Sequence, residues 1–102
     1  MYSIQDRTPV SIVIANYNYA HFLKRSIDSA LEQDYADAEV IVVDDASSDA
    51  TANVIASYGS RIRTCLREVN GGHAAAFNTG FASSHGEIVL FLDADDYLYP
   101  NA

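Results

Sequence analysis

In the stretch Glu87-Ile88-Val89-Leu90-Phe91-Leu92-Asp93-Ala94-Asp95-Asp96 a continuous apolar run stops at three carboxylates within four residues. It reads as a buried strand that delivers acid to an edge. Carboxylates this close repel one another and raise one another's pKa unless positive charge lies between them, so a divalent cation is their most economical partner. Oxygen-only ligands favour Mg²⁺ or Mn²⁺ over zinc. A single aspartate at a strand end serves as well to cap a following helix; three together point to a metal.

Two other apolar runs end in groups that could do chemistry. Val10-Ser11-Ile12-Val13-Ile14-Ala15 stops at Asn16-Tyr17-Asn18-Tyr19, and Glu39-Val40-Ile41-Val42-Val43 stops at Asp44-Asp45. Short, β-branched and almost wholly apolar, both predict strands covered on both faces. Between them, Phe22, Leu23, Ile27, Ala30 and Leu31 recur at helical spacing while Lys24, Arg25, Asp28 and Glu32 fall on the other side, which predicts an amphipathic helix over 21–33. Residues 34–38 form the return loop.

Beyond Asp45, the stretch Ala46-Ser47-Ser48-Asp49 offers caps for a helix over 49–58 with Val54 and Ile55 inward, closed by Gly59. Residues 61–68 alternate charged with apolar side chains and predict a strand at the sheet edge. After Asn70-Gly71-Gly72 an alanine-rich helix is expected over 73–83, although Gly80 weakens it by about 1 kcal/mol relative to alanine. His85-Gly86 turns the chain into the acid-bearing strand.

Strands in strict alternation with helices imply parallel pairing through right-handed crossovers, hence an α/β fold built as a doubly wound, mainly parallel sheet with helices on both faces. Ligands of such sheets bind beyond the carboxyl ends of the strands, where the winding direction reverses. With the strands in the order third, second, first, fourth, that crevice lies between the first and the fourth. The aromatic, amide and acid groups at Asn16–Asn18, Asp44–Asp45 and Asp93–Asp96 then share one rim.

Composition narrows the partners. The 102 residues, 49% hydrophobic and 20% charged, are those of an ordinary globular chain. Fourteen acidic against six basic residues give a net charge of −8, which repels nucleic acid and lets the chain hold a diphosphate only with a metal between them. Cys65 stands alone, so no intrachain disulfide forms and a buried structural thiol in a reducing compartment is expected. No apolar run approaches the length of a bilayer span. A cytoplasmic setting is expected, with the inner face of the membrane left open as an alternative for the full-length protein.

Taken together, Ser11-Ile12-Val13-Ile14-Ala15-Asn16-Tyr17-Asn18, Val42-Val43-Asp44-Asp45-Ala46-Ser47-Ser48-Asp49-Ala50-Thr51 and Phe91-Leu92-Asp93-Ala94-Asp95-Asp96, joined by Asn70-Gly71-Gly72 and Asn78-Thr79-Gly80, resemble the nucleotide-binding half of a family 2 inverting glycosyltransferase with the GT-A fold. In this order they span nearly the whole chain. The resemblance implies that residues 10–102 are the nucleotide-sugar-binding portion of such a domain, after a lead-in over 1–9. It implies a Mn²⁺ or Mg²⁺ cofactor, a UDP-sugar as donor, and a saccharide, lipid or protein as acceptor. Ala15, Tyr17, Asp45, Gly72, Asp93 and Asp95 would contact the donor.

In detail, Tyr17 would stack on the base, against the simpler role of a rim tyrosine. Asp45 would accept a charge-assisted hydrogen bond from the imide N–H of uracil or its relative, while Asp44 is structural and bonds backbone in the following turn. Ser47, Ser48 and Asp49 are helix caps rather than ligands. Asp93 and Asp95 match the two acids of the Asp-x-Asp motif: Asp93 would reach the ribose or the ion, and Asp95 would ligate the ion that bridges the diphosphate. Asp96 caps the next segment or touches donor. Gly71-Gly72 brings backbone amides to a phosphate or simply makes a turn.

Two departures stand out. Family members often carry an arginine just before the asparagine of the third helix; this chain has Phe77, with His73 near enough in sequence to stand in for it or to be a plain surface residue. The general base that inverting transfer needs, and the acceptor-binding part, would lie beyond Ala102. Apolar surface left for that part leads to an expectation of self-association.

Rival readings are a Mg²⁺-binding receiver-like signalling domain, a haloacid-dehalogenase-type phosphatase, a nucleotide-sugar pyrophosphorylase and a non-catalytic nucleotide-binding module. In receivers the acidic pair follows the first strand and a lysine follows the fifth; here the pair follows the second, and Lys24 is the one lysine. The phosphatase motif normally opens the chain and is not followed by Asp96-Tyr97. The glycine-rich signature of the pyrophosphorylases and a GxxxxGK[ST] loop are both absent.

Overall fold

The computed structural model describes residues 9–33 and 37–98; all of the lead-in but Pro9, and loop residues 34–36, lie outside them. The elements are β1 (Val10–Asn16), α1 (Ala20–Leu31), β2 (Ala38–Asp45), α2 (Thr51–Ala56), a 3₁₀ turn at Gly59–Arg61, β3 (Arg63–Arg67), α3 (Gly72–Ser83) and β4 (Ile88–Asp93). All four strands are parallel, as the alternation predicts, and they stand in the order β3-β2-β1-β4, the one that places the crevice between the first and the fourth. The chain winds outward from β1 through β2 to β3, then crosses back over the sheet to β4.

Right-handed crossovers decide the layering. The outward crossovers place α1 and α2 on one face, and the return places α3 on the other. β1 pairs on both sides and all seven of its residues are buried. Alternate residues of the inner strands divide between two cores. Ile12, Ile14, Val40, Val42 and Leu92 meet Leu23, Ile27 and Ala30 of α1, joined by Tyr58 and Ile62. Val13, Ala15, Ile41 and Val43 lie under α3 against Ala76, with Cys65 and Phe77 at the margin. Burial at about 1.5–3 kcal/mol for each large aliphatic side chain makes this two-sided sheet the main source of stability.

Gly80 is where α3 touches the sheet. A Cβ there would lie 2.2 Å from Val13 Cγ1 and 3.1 Å from Val43 Cγ2, so the residue that weakens the helix is the one that lets it approach. Cys65 is half-buried rather than fully enclosed, because β3 is an edge strand; its Sγ is 3.2 Å from Ser83 Oγ.

Element ends differ from expectation for identifiable reasons. α2 is a short Thr51–Ala56 helix led by Ala50, not a helix over 49–58. Asp49 divides its carboxylate: Oδ1 accepts the Thr51 N–H at 3.0 Å, and Oδ2 accepts the Ala20 N–H at 3.0 Å in the first turn of α1. It therefore ties down the start of both helices. The chain then spends residues 59–61 on the 3₁₀ turn, with Gly59 at φ +55°, so β3 begins at Arg63 rather than Arg61.

At the amino end of the sheet, Glu39 gathers several donors. Its Oε2 accepts the Ser11 hydroxyl and the His85 N–H, each at 2.6 Å, and its Oε1 accepts Arg63 Nη1 at 3.1 Å. Burial pushes the Glu39 carboxyl up, but these hydrogen bonds outweigh it and bring its pKa down to about 2.

Candidate functional site

The carboxyl ends of β1, β2 and β4 and the first turn of α3 meet on one rim, at the reversal between β1 and β4. The loop after β1 is stitched to the loop after β2. Asn16 is buried, and its Nδ2 gives hydrogen bonds to Asp44 Oδ1 at 3.2 Å, Ser47 Oγ at 3.2 Å and Thr51 Oγ1 at 3.0 Å. Asn18 is left-handed at φ 57°, a conformation its short polar side chain tolerates. Its N–H donates to Ser47 Oγ at 2.9 Å and its Oδ1 accepts the Ser48 N–H at 2.8 Å. Tyr17 is thereby held outward, 45% exposed.

Ser47 and Ser48 thus fasten loop to loop and do not cap α2. Asp44 accepts the Ser47 N–H at 3.3 Å together with the Asn16 amide, which makes it the structural member of the acidic pair.

Asp45, the other member, is buried and well supplied with donors. Its Oδ1 accepts Arg67 Nε at 2.7 Å, its Oδ2 accepts the Gly72 N–H at 2.8 Å, and the Gly71 N–H is shared at 3.1 Å to each oxygen. The same guanidinium reaches Thr79 Oγ1 through Nη1 at 2.8 Å, and its Nη2 would be 2.6 Å from a Cβ on Gly71. Gly71 therefore has no room for a side chain. Burial pushes the Asp45 carboxyl up; the Gly71 amide, the Arg67 guanidinium and the Gly72 amide together hold it below the ordinary aspartate value. A carboxylate offers about four lone-pair sites. Three donors make four contacts with it, two on each oxygen, the Gly71 amide being divided between both.

These bonds alter one reading of Gly71-Gly72. Their amides are turned to Asp45, not toward the solvent where a phosphate would sit, so the pair opens α3 as a turn. Gly72, at φ +86°, still forms part of the wall.

The acids after β4 are held by backbone. The Ala94 N–H donates to Ala15 O at 3.0 Å, the Ala94 methyl is fully buried in the α1-side core, and the Asp96 N–H closes a turn on Asp93 O at 2.9 Å. Asp93, Asp95 and Asp96 are left with carboxylate oxygens all within 4.8 Å of one another. Asp93 Oδ1 is buried without a hydrogen bond and lies 3.4 Å from His73 Nε2. Three hard oxygen donors this close, one of them buried and without a hydrogen-bond partner, fit a Mg²⁺- or Mn²⁺-type ion.

A pocket of about 240 Å³ opens beside them, lined by Ala15, Tyr17, Asp45, Asn70, Gly72 and His73 among others. Four of the residues singled out from the sequence, Ala15, Tyr17, Asp45 and Gly72, therefore share one cavity. Asp93 and Asp95 stand next to it, linked through His73, which is part of the wall and within reach of Asp93. Phe77 packs on Phe91 with ring centroids 4.9 Å apart and lies 6.1 Å from the His73 ring.

Comparison with known proteins decides the family. The model of "Glycosyl transferase family 2" matches residues 11–102. The chain belongs to glycosyl transferase family 2. Among curated relatives, an uncharacterized glycosyltransferase of Nostoc sp. is 42% identical over 95 residues, 90% of this chain and 30% of that protein. Among solved structures, S. aureus TarS 1-349 in complex with UDP-GlcNAc superposes with a TM-score of 0.80 at 32% identity, covering 87% of this chain and 27% of that one. Mannosyltransferase PcManGT from Pyrobaculum calidifontis, in complex with GDP-Man and Mn²⁺, gives 0.78 at 32% identity, covering 90% and 29%. The sheet and its flanking helices are those of the GT-A fold. The chain spans under a third of the length of the curated relatives it matches, and the receiver and phosphatase readings give way to this family.

Within this family 2 chain, sequence reasoning missed Arg67, Asn70 and the place of His73. The alternation over 61–68 makes Arg67 one more charged residue of an edge strand, yet its register partner is Asp45 itself. Strand order plus an opposite charge at the same rim was the signal that could have found it. Asn70 Nδ2 reaches Asp45 O at 3.4 Å across the same gap.

Proposed function

We infer that the protein transfers a sugar from a nucleotide diphosphate donor, a UDP-sugar, to a saccharide, lipid or protein acceptor with inversion, and that this chain supplies the donor and metal site. The observation that carries the reading is the single rim on which an outward tyrosine, a buried charged acceptor and three clustered acids stand side by side. At about 240 Å³ the pocket is smaller than the roughly 300–1,000 Å³ that encloses a whole drug-sized ligand. It suits a base and ribose, with diphosphate and sugar extending toward Asp93 and Asp95.

Each residue then has a task. Tyr17 stacks on the base. Asp45 accepts the imide N–H on a lone pair that the divided Gly71 amide holds only in part, its direction set by Arg67 and the Gly72 amide, in a charge-assisted bond stronger than a neutral one. Ala15 and Gly72 form the walls that let the base lie flat. Asp93, Asp95 and Asp96 would hold the cation, which when bound offsets charge on the departing diphosphate. Asp45, engaged with Arg67, and the acids that would hold the cation are assigned no part in deprotonating an acceptor hydroxyl. A cytoplasmic setting, at the inner face of the membrane for the whole protein, is part of the same proposal and is supported by the free Cys65 thiol.

Calorimetry of the intact protein with UDP, with and without Mn²⁺, tests this. Asp95→Ala should abolish the Mn²⁺-dependent part of UDP binding, a loss of at least about tenfold on the scale of altered metal sites. UDP binding that ignores Mn²⁺ and Asp95 alike would overturn the metal role, and tighter binding of GDP than of UDP would overturn the choice of base.

A further inference from the structure

We propose that Arg25 is a positioning residue for the acidic cluster, latching the segment after β4 onto α1 so that Asp95 and Asp96 are held near Asp93 before any cation arrives. The proposal rests on reading those acids as the metal site.

Three acids with oxygens within 4.8 Å of one another repel, and two of them, Asp95 and Asp96, are exposed. Left alone, such a segment would swing apart. Backbone from β1 holds it at one point, Ala94. The next three contacts all come from one face of α1. The Arg25 guanidinium carbon lies 4.2 Å from the centre of the Tyr97 ring, a cation–π distance, and Arg25 Nη2 donates to Asp95 O at 3.5 Å. Four residues on, so on the same side of the helix, Ser29 Oγ accepts the Leu98 N–H at 3.0 Å.

The chemistry of the contact matters. Arg25 bonds the main chain of Asp95 rather than its carboxylate, so it fixes the segment without using up a ligand oxygen. A planar guanidinium can lie on a ring and still give an N–H sideways; a lysine ammonium has no such plane. Ser29 is buried while Arg25 is exposed, so Arg25 can be replaced without opening the core, and Ser29 cannot.

The test uses the intact protein and the variants Arg25→Ala and Arg25→Lys. Mn²⁺ affinity in the presence of UDP should fall about tenfold in Arg25→Ala, the size seen when groups supporting a metal's ligands are removed, and recover in part in Arg25→Lys. Hydrogen exchange of the amides of residues 94–98, measured without metal, should quicken in Arg25→Ala. UDP affinity without metal should not move, because Tyr17 and Asp45 are held by other contacts. Unchanged Mn²⁺ affinity in Arg25→Ala, or an equal loss of metal-free UDP binding, overturns the proposal. If the unaltered protein takes up no Mn²⁺, the metal reading itself has failed, and exchange alone then judges the latch: faster exchange in Arg25→Ala supports it and unchanged exchange overturns it.

Discussion

Asp45 shows how one side chain can be both buried and charged. Removing a charge from water is costly unless hydrogen bonds replace the lost solvent, and here a guanidinium and two amides do so. The arrangement makes Arg67 as much a part of the candidate site as the acid it holds. Breaking a fully buried ion pair costs about 3–5 kcal/mol; Arg67 keeps 27% of its side-chain exposure, so Arg67→Met should cost about 2 kcal/mol in urea unfolding after allowance for solvent screening. The same variant should weaken UDP binding without metal, because the carboxylate loses its fixed direction. A variant as stable as the original would show that the pair is screened to insignificance.

Between elements, the decisive contact is α3 on β1 and β2 at Gly80. An alanine there would add about 1 kcal/mol of helix preference, but its methyl would collide with Val13 at 2.2 Å, and overpacking a core costs about 1–3 kcal/mol. The second effect should win, so Gly80→Ala is expected to lower the melting temperature; a rise would mean that α3 shifts freely on the sheet. This is also where reading from sequence reached its limit. The strand order entered as a condition that the fold meets; the four strands and their parallel pairing follow from three unbroken apolar runs, one alternating run and the alternation with helices, so they are legible in the chain. The glycine's role is not, since its penalty is local and its benefit lies on a strand nearly seventy residues earlier. The same holds for Asp49, whose carboxylate looks like a cap for one helix and serves two, and for Arg67, whose partner is set by register rather than by spacing.

Across the whole molecule, the two ends of the sheet divide the labour. The carboxyl end bears the candidate donor pocket and the exposed acids, whereas at the amino end hydrogen bonds tie Glu39 to Ser11, Arg63 and His85. Glu39 has a folded pKa of about 2 against 4.5 for the free side chain. A depressed carboxylate contributes its stability in full above the unfolded value and loses it as pH falls through the folded one. Thermal stability should therefore drop between about pH 4.5 and pH 2, and Glu39→Gln should flatten that drop; an unchanged slope would place the acid sensitivity elsewhere, with Asp28, Asp45 and Asp49 as the other depressed carboxyls. One last consequence comes from Ala94, the methyl sealed inside the molecule between the half-buried Asp93 and the exposed Asp95. The gap between those acids is set from below, by the size of a residue that no ligand ever meets. A bulkier side chain at that point would act as a wedge, parting the two carboxylates without altering a single oxygen.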